Sequence, residues 1–402
     1  MKYRPLITAI AVATLVGAAL PAAALTAEPH ARPAGATLPS LDPDLMAKAI
    51  AGLPDPTVTG AMVTVSGAAG SWHGTSGVRD LRTKTPVPAG GRFRVASISK
   101  VFTAVVALQL AAEHRLDLGR PVQDYLPGLL PAAYPNITVR QLLDHTSGLP
   151  EGTLGSGDPA WFVAHRFDSW TPRQLVAEAT TRPMRFAPGT QQQYNGTNYY
   201  VAGLLIEKVT GDSYAREVRR RILRPLGLHD TSVPDRRDAR LPGPHAHGYV
   251  AVTADGTTTL HDVSRQSAWS WAEGGLISSS ADLTRLFTAL FQGRLVPSAE
   301  LAEMFTLPDV KYTGSPGNCA IGPNAGRACF SAGLTTTTLP NGVTVWGKTG
   351  SVPGYTSGVF ATRDLRRVLV YSINPTGNAN GTETPYVSKI AAATFDPDLA
   401  TG

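Results

Sequence analysis

The sequence predicts an α/β chain of the α+β kind. An antiparallel sheet drawn from both chain ends is flanked by helices, and a mainly helical subdomain is inserted at about residues 116–293. Three observations predict this. Strand patterns cluster at the two ends of the chain. Capping boxes and helical apolar spacing dominate between them. One stretch, Ser97 to Ala112, is apolar on most sides, and such a helix belongs in a core.

In chain order, Asp42-Pro43 opens a helix whose apolar residues are Leu45, Met46, Ile50 and Leu53. Gly60 to Ser66 reads as a strand and Phe93 to Val95 as another, with turn residues such as Gly77-Val78-Arg79-Asp80 between them. Val101, Phe102, Val105, Val106, Leu108 and Leu110 make the Ser97 helix a buried one. Thr138 with Gln141 forms a capping box, and Thr171-Pro172 with Gln174 forms a second. Tyr200, Leu204, Leu205 and Val209 line one helical face before Gly211. Leu283, Leu286, Phe287, Leu290 and Phe291 do so before Gly293. Strand patterns return at Val343 to Trp346, Thr356 to Ala361 and Val368 to Ile373, and a last helix is expected from Pro385 to Phe395. No internal repeat is found.

The chain has 402 residues, 43% hydrophobic and 16% charged, a globular composition long enough to bury a core without staples. Lys2 and Arg4 precede an uncharged apolar run from Leu6 to Leu20, and Ala22-Ala23-Ala24 and Ala27 offer small-residue cleavage sites. This is the pattern of a secretory signal peptide over residues 1–27, too short in its apolar run for a membrane span. Its removal lowers the net charge from +6 to about +4. The mature chain is expected outside the cell, near an anionic wall, with no integral membrane span. Residues 28–40, rich in Ala and Pro, read as a disordered lead-in to one folded domain at 41–397. The Arg residues are scattered, without a basic stripe bearing aromatics, so nucleic acid is not an expected partner. The run Arg219-Arg220-Arg221 reads as a solvated helix face. Cys319 and Cys329 stand close in an exported chain, and a disulfide between them is expected.

The chemistry centres on Ser97-Ile98-Ser99-Lys100. Residues three apart share a helix face, which places a serine at the helix N-terminus and a lysine one turn along. A serine hydroxyl needs a base, and a lysine serves only when burial, the helix dipole or a neighbouring cation lowers its pKa. The same N-terminus offers N–H groups to an oxyanion. By itself this spacing also describes a helix cap with a surface lysine. Lys100, however, is the only lysine with a serine three residues before it, and it opens the most apolar helix, where an unpaired charge is costly. Lys348-Thr349-Gly350-Ser351 ends an alternating strand, where a cation, a hydroxyl and a glycine can hold an anionic group and admit a substrate backbone. Tyr194, just before a helix, can relay a proton beside a lysine. His245 and His247 lack an adjacent third ligand and read as a surface turn. Trp269 and Trp271 fit either a cleft wall or core. No Gly-x-Ser-x-Gly elbow, phosphate loop or zinc-protease helix is present, and no cofactor or metal is expected.

These motifs, in this order, resemble the serine β-lactamase and DD-peptidase superfamily, most of all class C β-lactamases and Streptomyces-type D-alanyl-D-alanine carboxypeptidases. FRVASISKVFTA, ITVRQLLDHTSGLP, NYYVAGLLIEKVTG and GGLISSSADLTRLF are similar to the same family, and the likeness runs from Leu41 to Phe395. The resemblance implies that Ser97 is acylated and that Lys100 and Tyr194 move its proton. The N–H groups of Ser97 and Ser351 would bind the oxyanion, and Lys348 and Thr349 would hold a substrate carboxylate or polarise Tyr194. His145, in the HTSG stretch, would have a supporting role. The implied activity is D,D-carboxypeptidase-like, with penicillin as an acylating inhibitor. A β-lactamase or carboxylesterase on the same fold and a non-catalytic cell-wall binder are the alternatives. Substrates would be small peptides, β-lactams or esters, with peptidoglycan as a possible partner. Two departures stand out. The family's Tyr-x-Asn motif ends here in Gly196, so Asn195 or Asn198 is the candidate substitute. No arginine lies on the Thr335-Thr336-Thr337-Thr338 strand, where some of these peptidases bind a terminal carboxylate.

Overall fold

Strands from the two ends of the chain meet in one six-stranded antiparallel sheet in this computed structural model, which describes residues 37–154, 157–315, 317–377 and 381–400. In spatial order the strands are Trp72–Gly77, Val58–Ser66, Val368–Pro375, Tyr355–Thr362, Thr344–Val352 and Thr335–Thr338. The first long strand pairs with the last in a register that sets Val63 opposite Tyr371. Central strands bury both faces, which is why their sequences are almost continuously apolar. Successive residues face opposite sides. Met62 and Val370 thus join the large core around the Ser99–Ala112 helix, while Val63, Leu369 and Tyr371 join a second core. That second core is covered by the helices Pro43–Ala49 and Thr384–Phe395.

Between the sheet's halves the chain is mainly helical, and both expected capping boxes form, at Thr138 with Gln141 and at Thr171 with Gln174. The helices Thr197–Thr210 and Ser280–Phe291 pack their apolar residues into the large core beside Ser99–Ala112.

Several local expectations are corrected. Tyr249–Ala254 and Thr257–Asp262 form a hairpin inside the region read as helical. Its turn is Asp255-Gly256, with φ of 49° and 73°, the two-residue connection that matches strand twist. Arg92–Arg94 does form a strand, but it pairs with Ile277–Ser279 outside the main sheet. Trp72–Gly77, for which no strand is expected from its sequence, forms an edge strand of the main sheet. Of the three arginines taken as a solvated face, Arg221 is 7% exposed and bridges Glu217 and Glu113.

Residues 1–27, expected to be a leader, and residues 28–36, expected to be part of a disordered lead-in, lie outside the described residues. The packed chain begins ahead of Leu41, because Leu38 is buried and the Pro39 carbonyl accepts from Arg367 Nη2 at 2.9 Å. Arg367 is itself fully buried and also donates to the carbonyls of Thr394 and Ala69, so one side chain ties both termini to the sheet. Among the described residues no helix is long and apolar enough to cross a membrane.

Candidate active site

Ser97 lies in a tight turn, Ala96–Ile98, that leads directly into the helix Ser99–Ala112. Ala96 is held at a φ of 47°, a left-handed conformation that a non-glycine residue keeps only when its surroundings enforce it. The enforcement is visible. Val95 donates to the Leu276 carbonyl at 3.1 Å, and its own carbonyl accepts from Ser357 Oγ at 3.2 Å. Gly350 packs on the turn so closely that a Cβ there would stand 2.1 Å from the Val95 oxygen and 3.0 Å from the Ser97 nitrogen. The strand bearing Lys348, Thr349, Gly350 and Ser351 is thereby pressed against the serine.

Lys100 Nζ donates to Ser97 Oγ at 3.0 Å. It is fully buried, 5.0 Å from the centre of the Tyr194 ring. Lys348 Nζ approaches the same ring to 4.7 Å and donates to the Thr349 carbonyl at 2.9 Å. Burial, and then the Lys100 charge, hold the Lys348 ammonium well below the ordinary lysine value. Burial raises the Tyr194 phenol more than Lys100 lowers it, so it stays protonated. The Tyr194 hydroxyl is buried close to Lys100 and Ser97, yet makes no well-formed hydrogen bond. It is thus free to bond to a reacting group. Ser97, Lys100, Tyr194, Lys348 and the Thr349–Ser351 strand end are brought together as expected.

Asn195 and Asn198 are not available to a substrate. Asn195 is buried, with its Nδ2 on the Leu149 carbonyl and its Oδ1 taken by the Thr197 N–H at 2.7 Å. Asn198 accepts from Ser147 Oγ and reaches His145 Nδ1 at 3.3 Å. Both amides brace the loops around the site instead of facing it. His145 lies beneath the Tyr194 ring with ring centres 4.6 Å apart, and burial holds it well below the usual imidazole value, a neutral support for Tyr194. Trp269 packs on Trp170 and Trp271 on Tyr214, so neither is committed to the cleft alone. His247 pairs with Asp262 at 2.7 Å, and no group of three metal-binding side chains occurs among the described residues.

The Cys319–Cys329 disulfide forms and supports this wall. Gln192 accepts from the Cys329 N–H at 3.0 Å and donates to the carbonyls of Asp144 and Phe330, each at 2.7 Å. Phe330 in turn packs against Tyr194 with ring centres 5.1 Å apart and planes tilted by 40°. Replacing both cysteines by serine should cost about 2–3 kcal/mol from chain entropy. It should lower the melting temperature and reduce turnover through Tyr194, which differential scanning calorimetry and initial rates will show. An unchanged melting temperature would remove the support role.

Residues 46–393 match the sequence profile of the family described as Beta-lactamase. The chain belongs to that family. It is similar in structure to a D-stereospecific amidohydrolase from Streptomyces sp., with 36% identity, 89% of this chain and 99% of that chain covered, and a TM-score of 0.75. D-amino acid amidase from Ochrobactrum anthropi SV3 shares the fold, at 24% identity and a TM-score of 0.69 over 87% of this chain and 95% of that one. Penicillin-binding protein 4* of Bacillus subtilis is 26% identical over 78% of this chain and 68% of its own length. Other curated relatives are longer, and the chain spans 46% and 40% of two of them.

Within this Beta-lactamase-family site the sequence reading missed two acids. The place of the motif amide is held by Gly196. A Cβ there would meet Glu151 Oε1 at 3.1 Å and Glu273 Oε1 at 3.2 Å, so two carboxylates converge where a side chain is absent. Glu151 Oε2 accepts from the Gly196 N–H at 2.9 Å. Glu273 Oε1 lies 3.4 Å from Ser97 Oγ and forms an ion pair with Lys100, whose Nζ also donates to the Glu273 carbonyl at 3.0 Å. Burial, and then the Glu273 charge, push the Glu151 carboxyl up to about 7. The expected lowering of Lys100 is also corrected. Burial pulls it down, but contact with the Glu273 carboxylate outweighs this and leaves it above the ordinary lysine value. Each acid directly abuts a family-like stretch, Glu151 after HTSGLP and Glu273 before GGLISSS. That juxtaposition was the available clue.

Proposed function

We propose that this protein is an exported acyl-serine hydrolase that cleaves the amide or peptide bond of D-amino acyl substrates bearing a free α-amino group. The observation that carries this reading is the pair of carboxylates, Glu151 and Glu273, set beside Ser97 where an amide side chain would accept or donate to an acylated nitrogen. An anionic cradle suits an ammonium group, and hydrogen bonds to charged groups are the strong ones. The 36% identity to a D-stereospecific amidohydrolase supports the choice. Residues 1–27 serve as the leader, and residues 41–397, with the helical subdomain at about 116–293, as the catalytic unit.

In the proposed reaction Ser97 Oγ bonds to the substrate carbonyl carbon while its proton passes to Lys100, with Tyr194 within reach as a relay. The N–H groups of Ser97 and Ser351 take the oxyanion charge. Collapse of the tetrahedral intermediate breaks the C–N bond, and the same proton goes to the departing amine. Water then attacks the acyl-serine ester and releases the acid. A D,D-carboxypeptidase is the second reading. It is less favoured because two acids repel a peptide's terminal carboxylate, Lys348 is engaged by the Thr349 carbonyl, and the Thr335–Thr338 edge carries no arginine.

Incubation with D-phenylalaninamide should release ammonia, the L-amide and N-acetyl-D-amide should react far more slowly, and Ser97→Ala should be inert. D-alanine release from an N-acylated D-Ala-D-Ala peptide, without amide turnover, would replace this reading with the carboxypeptidase one. The KM for the D-amide, counted on its cationic form because the α-amino group itself titrates in this range, should also rise by up to about tenfold between pH 8 and pH 6, because protonating a carboxyl at about 7 removes its charge from the cradle. The KM of an uncharged ester measured alongside should stay flat.

A further inference from the structure

Lys100 is asked to be a base, yet its ammonium is locked. Its Nζ is fully buried and touches Glu273 Oε1, the Glu273 carbonyl and Ser97 Oγ at once. A lysine in that contact is charged and takes no proton from serine. The remaining charged and titratable neighbours are Glu151, Tyr194, Tyr199, Tyr200, Lys348 and His145. Only the two acids carry negative charge there. Tyr194, Tyr199 and Tyr200 are held protonated by burial, and Lys348 and His145 are disfavoured as cations. Glu273 is therefore the group that keeps Lys100 charged, and it is 18% exposed where Lys100 is closed off, so a ligand can reach it.

We infer that Glu273 is a specificity-determining residue that pairs with Lys100 in the free enzyme and with the substrate's α-ammonium in the complex, so that Lys100 becomes a base only when a cationic substrate is bound. This deepens the amine reading and rests on it. The exchange balances. The arriving ammonium replaces the Lys100 charge as the partner of Glu273, and Lys100 releases one proton to solvent. The neutral amine then accepts the Ser97 proton as the Oγ–C bond forms, and passes it to the leaving group. A neutral or N-acylated compound brings no charge, so Lys100 stays protonated and acylation is slow. Selection for the free amine is thus made in kcat as well as in KM, because the cation changes the state of the base.

The test uses full-length protein and two methyl esters, D-phenylalanine methyl ester and its des-amino analogue methyl 3-phenylpropanoate. Acylation rates are followed from pH 6 to pH 10 in wild type and in Glu273→Gln, with the rate of the amino ester divided by its cationic fraction at each pH. In wild type the des-amino ester should need a pH at least one unit higher to reach half its maximal rate, about tenfold slower at neutral pH. In Glu273→Gln that profile should move down by a unit or more, so the des-amino ester reacts about tenfold faster at pH 7 than in wild type, while the preference for the amino ester falls by at least tenfold. Equal half-maximal pH for the two esters in wild type overturns the inference, as does a variant that slows both esters without moving either profile. If Glu273→Gln does not fold, as judged by its circular dichroism melt, the wild-type ester pair decides alone. Because both substrates are esters, the result does not depend on whether D-amides are turned over. Failure of the amide assay and failure of this exchange are therefore separate outcomes.

Discussion

Lys100→Ala is expected to slow acylation of Ser97 by about 10²–10⁴-fold, the range that a positioned general base contributes. Tyr194, Lys348 and His145 cannot stand in at neutral pH, and Glu273 Oε1 reaches Ser97 Oγ only at 3.4 Å. Tyr194 is held protonated by burial, and Lys348 reaches the Tyr194 ring and the Thr349 carbonyl, with no direct contact to Ser97 Oγ. His145 faces the underside of Tyr194, with Nδ1 taken by the Asn195 N–H at 3.2 Å. The fold should survive. Lys100 is fully buried but opens a helix whose later residues Val101 to Leu110 carry the packing, and the Glu273 left without its partner is 18% exposed and can be hydrated. The p-nitrophenol burst from D-phenylalanine p-nitrophenyl ester, which brings the α-ammonium that frees Lys100, measures the acylation step directly, and a circular dichroism melt checks the fold. Acylation within a few-fold of wild type would end the assignment of Lys100 as base.

How much of this was legible in advance depended on where each residue's partners lie in the sequence. The Ser99–Ala112 helix, both capping boxes and the late strands were readable because their causes are local: apolar period, a cap three residues from its acceptor, a turn. The Asp255-Gly256 hairpin was equally local, and was overlooked because helical patterns surround it. Trp72–Gly77 could not be read this way. Its glycines give no strand pattern, and it is a strand because Val58–Ser66 offers it an edge. The site divides similarly. Ser97, Lys100, Tyr194 and the Lys348–Ser351 strand sit in short motifs. Glu151 and Glu273 are far apart in the chain and acquire meaning only when Gly196 leaves a gap into which both point. Asn195 failed as a substrate ligand for the converse reason. Its neighbour in sequence is Tyr194, but its amide is spent on Leu149 and Thr197. The state of Lys100 was misjudged for want of Glu273, since burial alone lowers a lysine and a contacting carboxylate reverses the sign.

Gly350→Ala is expected to lower kcat/KM by about 10²–10³-fold, the cost of losing one oxyanion donor. The added methyl would stand 2.1 Å from the Val95 oxygen, 3.0 Å from the Ser97 nitrogen and 3.1 Å from Ala96 Cβ. Two of these are backbone atoms, and the turn that carries them is fixed from both sides by Leu276 and Ser357 around the strained Ala96. The turn cannot yield, so the strand end must, and Ser351 is the next residue along it. Displacing its N–H removes a contact that strengthens only as charge develops on the carbonyl oxygen, and the loss should therefore fall on kcat, with KM little changed. Overpacking of this kind also destabilises by about 1–3 kcal/mol, small enough for the variant to be purified folded. Gly90→Ala serves as the control, since a methyl there meets nothing within 4 Å. Steady-state kinetics of both variants with the same ester decide the matter. A Gly350→Ala enzyme as active as Gly90→Ala would mean that the strand end contributes no oxyanion donor, and that Ser97 relies on its own N–H alone.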